Sequence, residues 1–449
     1  MTTTPHYPSY EAVCDELDRR RRIDLGFERI EALLKALGDP HRSLKIIQIV
    51  GTNGKGTTTI ALASALEAAG KTAAAYLSPH VLSYTERVML RGRYASEEEF
   101  AAAMRKIIKI ADANEIPATQ FELLTAGTLA LFCEAGLEWA VLEAGLGARH
   151  DATSAAEPGA VVLTNVSLDH TEYLGDTVEE IAEEKLASLR EGVILLLGTD
   201  DLIVVEVARK AAKRVGARLV EQKETGEPEE HRQAIPGDEK TPTPYSPLPI
   251  VRALGVSPGA PGVPPGDEVY LIRNERLGMW AAELLLGRSL RPDEREAALL
   301  SARSLRPPAR FEVHEVRGVP VVVDGGHNPE GLKAALGVVR AGYTNRPLGV
   351  VFGALKDKDV GSMLDILGRE ARTLVLTRAA YADGRVLDPE RVDREYEPRD
   401  ARGRRAWVAS DASEALRLAV GKMEKVGGVV LVTGSLYTGA GVLGRLRGR

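Results

Sequence analysis

The sequence has little cysteine, few aromatic residues and no long apolar run. Only Cys14 and Cys133 occur among 449 residues, too few for a disulfide framework or a cysteine-based metal site, so we expect buried thiols in a reducing compartment. No apolar stretch approaches the roughly 18 residues that span a bilayer, and no apolar segment follows a basic start. We therefore expect a cytoplasmic protein with no membrane partner.

An excess of positive charge is also lacking. The chain carries 58 basic and 64 acidic residues, a formal net charge of -6, and the two signs are intermixed along its length. Because a phosphate backbone requires a basic field, this composition predicts no nucleic-acid partner.

The first two-thirds of the chain alternates short apolar runs with helical patterns, and 449 residues exceed what one core usually organises. Strands are predicted at 44–50, 72–77, 139–143, 160–166 and 193–197, and helices at 58–69, 97–114, 121–135 and 178–190. Such alternation predicts an α/β fold with a doubly wound, mostly parallel sheet.

A stretch at 221–267 interrupts this pattern because it is rich in Pro, Gly, Glu and Thr and lacks apolar periodicity; we predict an exposed, partly disordered insertion. A helix at 275–286 follows it. Strands at 319–323, 348–352, 373–376 and 429–432 then predict a smaller, Rossmann-like α/β unit. We place a nucleotide-binding domain at 1–300 and a second domain at 301–449.

A glycine-rich loop joins the first predicted strand to a helix, a setting in which backbone N–H groups face phosphate oxygens. Lys55 would bridge the outer phosphates of a nucleotide, and the Thr57 hydroxyl would bind Mg²⁺. A merely structural turn would leave this lysine and three consecutive threonines unexplained. The predicted nucleotide-binding loop consists of Gly51, Thr52, Asn53, Gly54, Lys55, Gly56, Thr57 and Thr58.

The loop is shorter than the general phosphate loop, because its first glycine lies four residues before the lysine and Gly56 separates lysine from hydroxyl. Other ordered motifs are Ser78-Pro-His80, Tyr84-Thr-Glu-Arg-Val88, Phe121-Glu122 with Thr125-Ala126, Leu142-Glu143-Ala-Gly-Leu-Gly147 with Asp151-Ala-Thr153, Thr164-Asn165, Asp169-His170-Thr-Glu172, Leu174-Gly-Asp-Thr177, Glu184-Lys185, Arg310-Phe-Glu312, Asp324-Gly-Gly-His-Asn-Pro329, Gly353-Ala-Leu355, Asp357-Lys-Asp359 and Gly434-Ser-Leu-Tyr437. Together they resemble the folylpolyglutamate synthase and dihydrofolate synthase family of Mur-type ligases.

The resemblance implies that ATP activates the carboxylate of a folate-type acid, dihydropteroate or a tetrahydrofolate glutamate, for attack by glutamate. A carboxylate at neutral pH would have to expel an oxide, whereas an acyl phosphate has a good leaving group. The expected ligands are therefore ATP, Mg²⁺, glutamate and the pterin-bearing acid, and the expected state is a monomer.

The resemblance also assigns residues. Lys55, His170 and Lys185 are the expected catalytic residues. Mg²⁺ would be held by Glu143 and His170, by the Thr57 or Ser78 hydroxyl, and by Lys185 after carbamylation. The remaining assignments are Asn274, Arg310 and Asp324 for the nucleotide, His327 and Ser435 for glutamate, and Arg87 and Asp151 for the acid.

We expect the catalytic cleft between the two domains. One departure is the segment Tyr270-Leu-Ile-Arg-Asn274, which lacks the H-Q that precedes the family's nucleotide-contacting asparagine. A Mur-type ligase with another acid, or a nucleotide-binding scaffold without turnover, therefore stays open as an alternative. On its residues alone, Lys185 would be an exposed lysine among glutamates.

Overall fold

The computed structural model describes residues 7, 9–222, 270–380 and 384–447. These residues form two compact units, one of residues up to 222 with 271–306, the other of Tyr270 with 307–447. Each unit has its own mostly parallel sheet, which confirms the predicted α/β class. From residue 223 onward, the predicted insertion lies outside the described residues. Within them, no helix is long and apolar enough to span a bilayer.

The first unit contains eight of the described strands. They are β1 (Lys45–Val50), β2 (Ala73–Tyr76), β3 (Val88–Leu90), β4 (Arg93–Tyr94), β5 (Trp139–Glu143), β6 (Ala160–Leu163), β7 (Ile194–Leu197) and β8 (Arg218–Glu221). Among the described residues up to 304, the α-helices are α1 (Tyr10–Arg19), α2 (Glu28–Ala36), α3 (Lys55–Ala68), α4 (Glu97–Ala113), α5 (Gln120–Glu134), α6 (Thr171–Leu174), α7 (Val178–Lys185), α8 (Leu202–Val215), α9 (Tyr270–Leu286) and α10 (Pro292–Ser304).

Strand β1 lies at the centre of the first sheet, whose order is β4-β3-β2-β5-β1-β6-β7-β8. It pairs in parallel with β5 and β6, whereas β3 and β4 add an antiparallel edge. Both faces of β1 are covered, since neighbouring Ile46 and Ile47 belong to different apolar clusters. The carboxyl ends of β1, β5 and β6 therefore meet at one edge, where ligands of open α/β sheets bind.

Helices α9 and α10 pack against α3, the helix that follows the glycine-rich loop. A Cβ on Gly278 would lie 2.7 Å from the Thr58 carbonyl oxygen, so α9 approaches α3 backbone to backbone. The Ser64 and Ser301 hydroxyls are 3.2 Å apart. Cys14 and Cys133 are free thiols and half-buried, so they are less buried than the sequence predicted.

The second unit has a six-stranded sheet of order β13-β12-β11-β14-β10-β9, in which β9 is antiparallel to β10. Its strands are β9 (Glu312–Val316), β10 (Val319–Val323), β11 (Leu348–Phe352), β12 (Thr373–Leu376), β13 (Trp407–Val408) and β14 (Val429–Thr433). Its helices, in the part of the unit that the structure describes from residue 307 onward, are α11 (Pro329–Gly342), α12 (Val360–Glu370), α13 (Pro389–Tyr396), α14 (Ala412–Glu424) and α15 (Leu436–Leu446).

Candidate active site

The glycine-rich loop turns directly from β1 into α3, which begins at Lys55 rather than at the predicted Thr58. Gly51 and Gly54 have φ angles of 145° and 83°, a region that L side chains rarely adopt. A Cβ on Gly51 would lie 1.9 Å from the Thr164 hydroxyl oxygen. Only glycine fits here, and the loop directs the amino end of α3 toward the carboxyl edge of the sheet.

The segment after β6 holds this loop in place. Asn165 accepts the Asn53 N–H through its side-chain oxygen at 2.9 Å and the Thr52 N–H through its carbonyl at 2.9 Å. The Thr164 hydroxyl donates to the Asn53 carbonyl at 2.8 Å. The Thr52 hydroxyl accepts the Ser167 N–H at 3.0 Å. Thr52 and Asn53 are therefore fixed before any ligand binds.

Lys55 and Lys185 share one acceptor. The Lys55 Nζ donates to the Gly51 carbonyl at 3.1 Å and to that of Thr52 at 3.2 Å, and the Lys185 Nζ donates to the Gly51 carbonyl at 3.0 Å. Lys185 is 5% exposed. Burial, reinforced by the charge of Lys55, lowers the pKa of Lys185 to about 7, so the interpretation as an exposed lysine was wrong.

Glu143 ends β5 beside the first turn of α3. Its Oε2 accepts the Ser78 N–H at 2.9 Å and lies 3.2 Å from the position of a Cβ on Gly56. The carboxylate is 3% exposed. The structure therefore brings Glu143, Ser78 and the start of α3 together, as a metal beside the phosphate loop would require.

His170 caps the short helix α6 in a left-handed conformation, with φ 51°. Its Nε2 lies 4.0 Å from Asp169 Oδ1. Thr57 is half-buried in the first turn of α3. In the described ranges, no cluster of three or more His, Cys, Asp or Glu side chains is arranged to hold a metal. The carboxylate and hydroxyl oxygens of the predicted set are ligands that Mg²⁺ prefers, and the His170 imidazole would be its nitrogen donor.

Asn274 lies against the loop from α9. Its side chain would be 2.4 Å from a Cβ on Gly54, and its carbonyl accepts the Thr58 hydroxyl at 3.3 Å. Asn274 therefore lies at the loop although the H-Q is absent from the segment before it.

Arg87 is buried and interacts with the loop that follows β2. Its Nε donates to His80 Nδ1 at 2.8 Å, and its Nη1 lies 3.5 Å from the Ser78 hydroxyl. Burial, and then the Arg87 charge, lowers the pKa of His80 to about 2. His80 is therefore neutral, and its Nδ1 accepts a hydrogen bond from the Arg87 Nε–H group.

Asp151 is also buried, but its described partners belong to its own loop. Oδ2 accepts the Gly145 and Leu146 N–H groups at 2.8 and 2.9 Å, and Oδ1 accepts the Thr153 N–H at 3.0 Å and its hydroxyl at 2.5 Å. Burial raises the pKa of Asp151 above its ordinary value against these bonds. The carboxylate shapes the turn that follows Glu143.

In the second unit, Asp324 lies at the carboxyl end of β10. It accepts the Phe311 N–H at 3.0 Å, the Gly326 N–H at 2.9 Å and the Tyr270 hydroxyl at 2.5 Å. Burial raises its pKa, while Tyr270 and the charge of Arg310 oppose that shift. Ala309 and Phe311, on either side of Arg310, both have positive φ, a strained conformation that commonly marks functional segments.

His327 and Ser435 lie on adjacent loops of the same unit. The Gly434 N–H donates to the Gly326 carbonyl at 2.9 Å, which ties the loop after β14 to the loop after β10. The Ser435 hydroxyl caps α15 by accepting the Tyr437 N–H at 3.1 Å. The His327 Nδ1 is 3.1 Å from the Gly325 carbonyl.

Three bracing interactions had no assigned role in the sequence analysis. These are the contacts of Thr164 and Asn165 with the loop, the Tyr270 bond to Asp324, and the pair of Arg29 and buried Glu122 at 3.0 Å. The Thr164-Asn165 motif can be recognised in the sequence. The partners of Tyr270 and Arg29, by contrast, lie 54 and 93 residues away along the chain. Only the folded chain identifies them.

Both units of the chain are similar to known protein families. A family model of the Mur ligase middle domain matches residues 49–233, and one of the Mur ligase glutamate ligase domain matches residues 309–436. The dihydrofolate synthase/folylpolyglutamate synthase of Escherichia coli (strain K12) is 31% identical over 77% of this chain and 75% of its own length. The Bacillus subtilis (strain 168) protein of that name is 27% identical over 94% and 95%.

A probable bifunctional folylpolyglutamate synthase/dihydropteroate synthase of Haloferax volcanii is 32% identical over 95% of this chain, which spans 49% of that longer relative. Among solved structures, Mycobacterium tuberculosis folylpolyglutamate synthase complexed with ADP has a TM-score of 0.79 at 26% identity, covering 98% of each chain. A bifunctional folylpolyglutamate synthase/dihydrofolate synthase with Mn, AMPPNP and L-glutamate bound has a TM-score of 0.77 at 26% identity, covering 99% and 100%. Motifs, fold and relatives together show that this chain belongs to the folylpolyglutamate synthase/dihydrofolate synthase family of Mur-type ligases.

Proposed function

We propose that this protein is an ATP-dependent ligase that adds L-glutamate to a folate-type carboxylic acid. The observation that carries the proposal is the meeting of Lys55 and buried Lys185 at the Gly51 carbonyl. Lys55 would supply the positive charge that γ-phosphoryl transfer requires, and Lys185 at the end of α7 would supply an anionic metal ligand once it is carbamylated.

The loop binds the nucleotide through fixed donors. Backbone N–H groups at the start of α3 face phosphate oxygens, and Lys55 exchanges its carbonyl acceptors for the outer phosphates. The terminal phosphoryl group passes to the substrate carboxylate, ADP leaves, and the glutamate amine displaces phosphate from the acyl phosphate to form the amide.

Lys185 is proposed to react with carbon dioxide. Its neutral amine attacks the carbon of carbon dioxide, forms an N–C bond and releases one proton, so a carbamate anion replaces the amine. Two cations at one carbonyl repel each other, whereas a carbamate attracts Lys55 and offers oxygen atoms to a metal.

Glu143, His170, carbamylated Lys185 and the hydroxyl of Thr57 or Ser78 would hold the divalent ion. When bound, Mg²⁺ neutralises charge on the transferring phosphoryl group. The contacts of Glu143 with Ser78 and the start of α3 support this assignment.

The remaining assignments concern substrates. Arg310 and Asp324 would bind the nucleotide, and His327 and Ser435 the incoming glutamate. Arg87 would face the acid, and Asp151 would shape the turn beside it. A cytoplasmic monomer stays the prediction.

The test is ADP release with MgATP and glutamate, with dihydropteroate or tetrahydrofolate supplied separately, alongside the product mass. We expect a gain of one glutamyl residue with at least one acid, lost in Lys55→Ala. ATP binding without turnover on either acid would instead favour a Mur-type ligase with another substrate, or a scaffold.

A further inference from the structure

Two cationic side chains at the carboxyl edge of the second sheet have no role in the site described so far. Lys356 follows β11, and Arg385 lies in the segment beyond β12. The Lys356 N–H donates to the Arg385 carbonyl at 2.9 Å, Leu355 forms an antiparallel bridge with Val386, and the Lys356 Nζ donates to the Gly384 carbonyl at 2.7 Å. The backbone that carries Arg385 is therefore fixed beside the end of β11.

Tyr437 braces the Arg385 side chain. The guanidinium carbon lies 5.9 Å from the centre of the Tyr437 ring, within cation–π range, and Nη2 is 3.5 Å from the Tyr437 hydroxyl. The Tyr437 N–H in turn donates to the Ser435 hydroxyl. Arg385 is thus connected through one residue to Ser435, a residue already assigned to glutamate.

The guanidinium is exposed, and among the described residues it forms no ion pair with a carboxylate. Nearby Arg378, by contrast, lies 3.7 Å from Asp388. A braced, exposed arginine has N–H donors in a planar fork that suits a carboxylate.

The helix dipoles at the carboxyl edge of the second sheet also favour the binding of an anion. Helices α11, α12 and α15 begin there, so their positive ends face the loops. At the opposite edge, where helices end, arginines already donate to backbone carbonyls, as Arg340 does to Glu370 and Arg404 to Arg372. These two arginines therefore have a structural role that Arg385 does not share.

We propose that Arg385, braced by Tyr437, binds a carboxylate of the incoming glutamate and helps to select glutamate over its amides. This inference rests on the proposed function, because it requires glutamate as the amine substrate. A carboxylate of the acid's glutamyl tail, or a nucleotide phosphate, has related chemistry, and separate titrations distinguish these sources.

The test is steady-state kinetics of Arg385→Ala and Arg385→Lys in the full chain, with glutamate, ATP and the acid varied in turn. Because Arg385→Ala would lose the charge-assisted contact with the glutamate carboxylate, we expect its KM for glutamate to rise about 10- to 100-fold. We expect a smaller rise for Arg385→Lys and unchanged KM values for ATP and the acid. Arg391→Ala, an exposed arginine paired with Glu395 on α13, is the matched control and should behave as wild type.

Amide analogues give a second measurement. The wild-type protein should prefer glutamate to L-glutamine or to the α-amide of glutamate, and Arg385→Ala should lose that preference. If Arg385→Ala shows no turnover, recovery at high glutamate supports the inference, and no recovery at any concentration overturns it.

An unchanged KM for glutamate, or a rise confined to ATP or the acid, overturns this inference and leaves the proposed ligase intact. Absence of glutamate-dependent ADP release from the wild-type protein overturns both.

Discussion

At the scale of single residues, Gly51 fixes the phosphate loop by having no side chain. Its φ of 145° and the 1.9 Å that would separate an added Cβ from the Thr164 hydroxyl oxygen both exclude alanine without a backbone shift. Gly70 also has a positive φ, 81°, but nothing lies within 4 Å of its Cβ position. An alanine substitution at either position would strain the backbone, but only at Gly51 would the new side chain also clash with a neighbour.

We predict that Gly51→Ala abolishes detectable ADP binding, because the loop must move away from Thr164. Gly70→Ala should lower the free energy of unfolding by about 1 kcal/mol and leave ADP affinity unchanged. Calorimetric titration with MgADP and denaturant unfolding measure the two effects. Wild-type ADP affinity in Gly51→Ala would contradict the assigned role of the loop.

Glu67, which has no assigned role in ligand binding, gives a prediction of how folding stability depends on pH. Burial raises its pKa to about 7, against the opposing charge of Arg91 and a backbone hydrogen bond with Ala73. Because the folded pKa exceeds the unfolded one, the folded state holds the proton longer, and stability falls as pH rises from about 4.5 to about 7.

Glu67→Gln should therefore match wild type in Tm near pH 4.5 and exceed it increasingly up to pH 7, with a constant difference above that. Exposed Glu98→Gln is the control and should show no such trend. A Tm difference for Glu67→Gln that does not vary with pH would refute the explanation.

At the scale of elements, helix α7 positions Lys185 beside the loop. Thr177 and Glu180 form a capping box at its amino end, and Lys185 is its last residue. Helix α4 has an equivalent box, formed by Ser96 and Glu99, but no residue of α4 has an assigned catalytic role.

Thr177→Ala and Ser96→Ala should each cost about 1 kcal/mol of stability. Only Thr177→Ala should also reduce kcat, because it loosens the helix that holds the Lys185 amine. Measuring kcat well below both melting transitions separates the effects. Equal kcat in the two variants would show that the position of Lys185 does not depend on the cap.

The central strands were predictable because they are continuous apolar runs, and β5, β10, β11 and β12 have the predicted bounds. Helix α7 was predicted to extend to Arg190 but ends at Lys185. The Leu189 N–H instead donates to the Leu186 carbonyl in a turn, and the three-residue apolar spacing of such a turn resembles the spacing of three and four residues in a helix. The two-residue strands β4 and β13 are too short to show a pattern.

The candidate site was predictable where a motif carries its own chemistry, as in the glycine-rich loop. The burial of Lys185 was not, because glutamates flank it in sequence while its amine reaches a carbonyl 134 positions away. The partners of Tyr270 and Arg385 likewise depend on loops that the fold brings together.

At the scale of the whole molecule, each of the two compact units has its own sheet, and the predicted nucleotide loop belongs to the first. A ligand that binds only the folded state stabilises it by mass action. MgADP at about 100 times its Kd should therefore add about 2.7 kcal/mol to the unit that binds it.

We predict that MgADP raises the Tm of the wild-type protein and of Lys109→Ala, an exposed lysine on α4, but not of Lys55→Ala. Differential scanning calorimetry with and without MgADP measures the shift. A normal shift in Lys55→Ala would place the nucleotide elsewhere.

The central claim is that ATP activates an acid carboxylate, which glutamate then attacks. The most direct measurement supplies the acid with ¹⁸O at both oxygens of the reacting carboxylate, together with MgATP and glutamate, and follows the label by mass spectrometry. The account predicts an amide product with one added glutamyl residue and one ¹⁸O atom in each released phosphate. ADP formation without that product, or phosphate without the label, would contradict it.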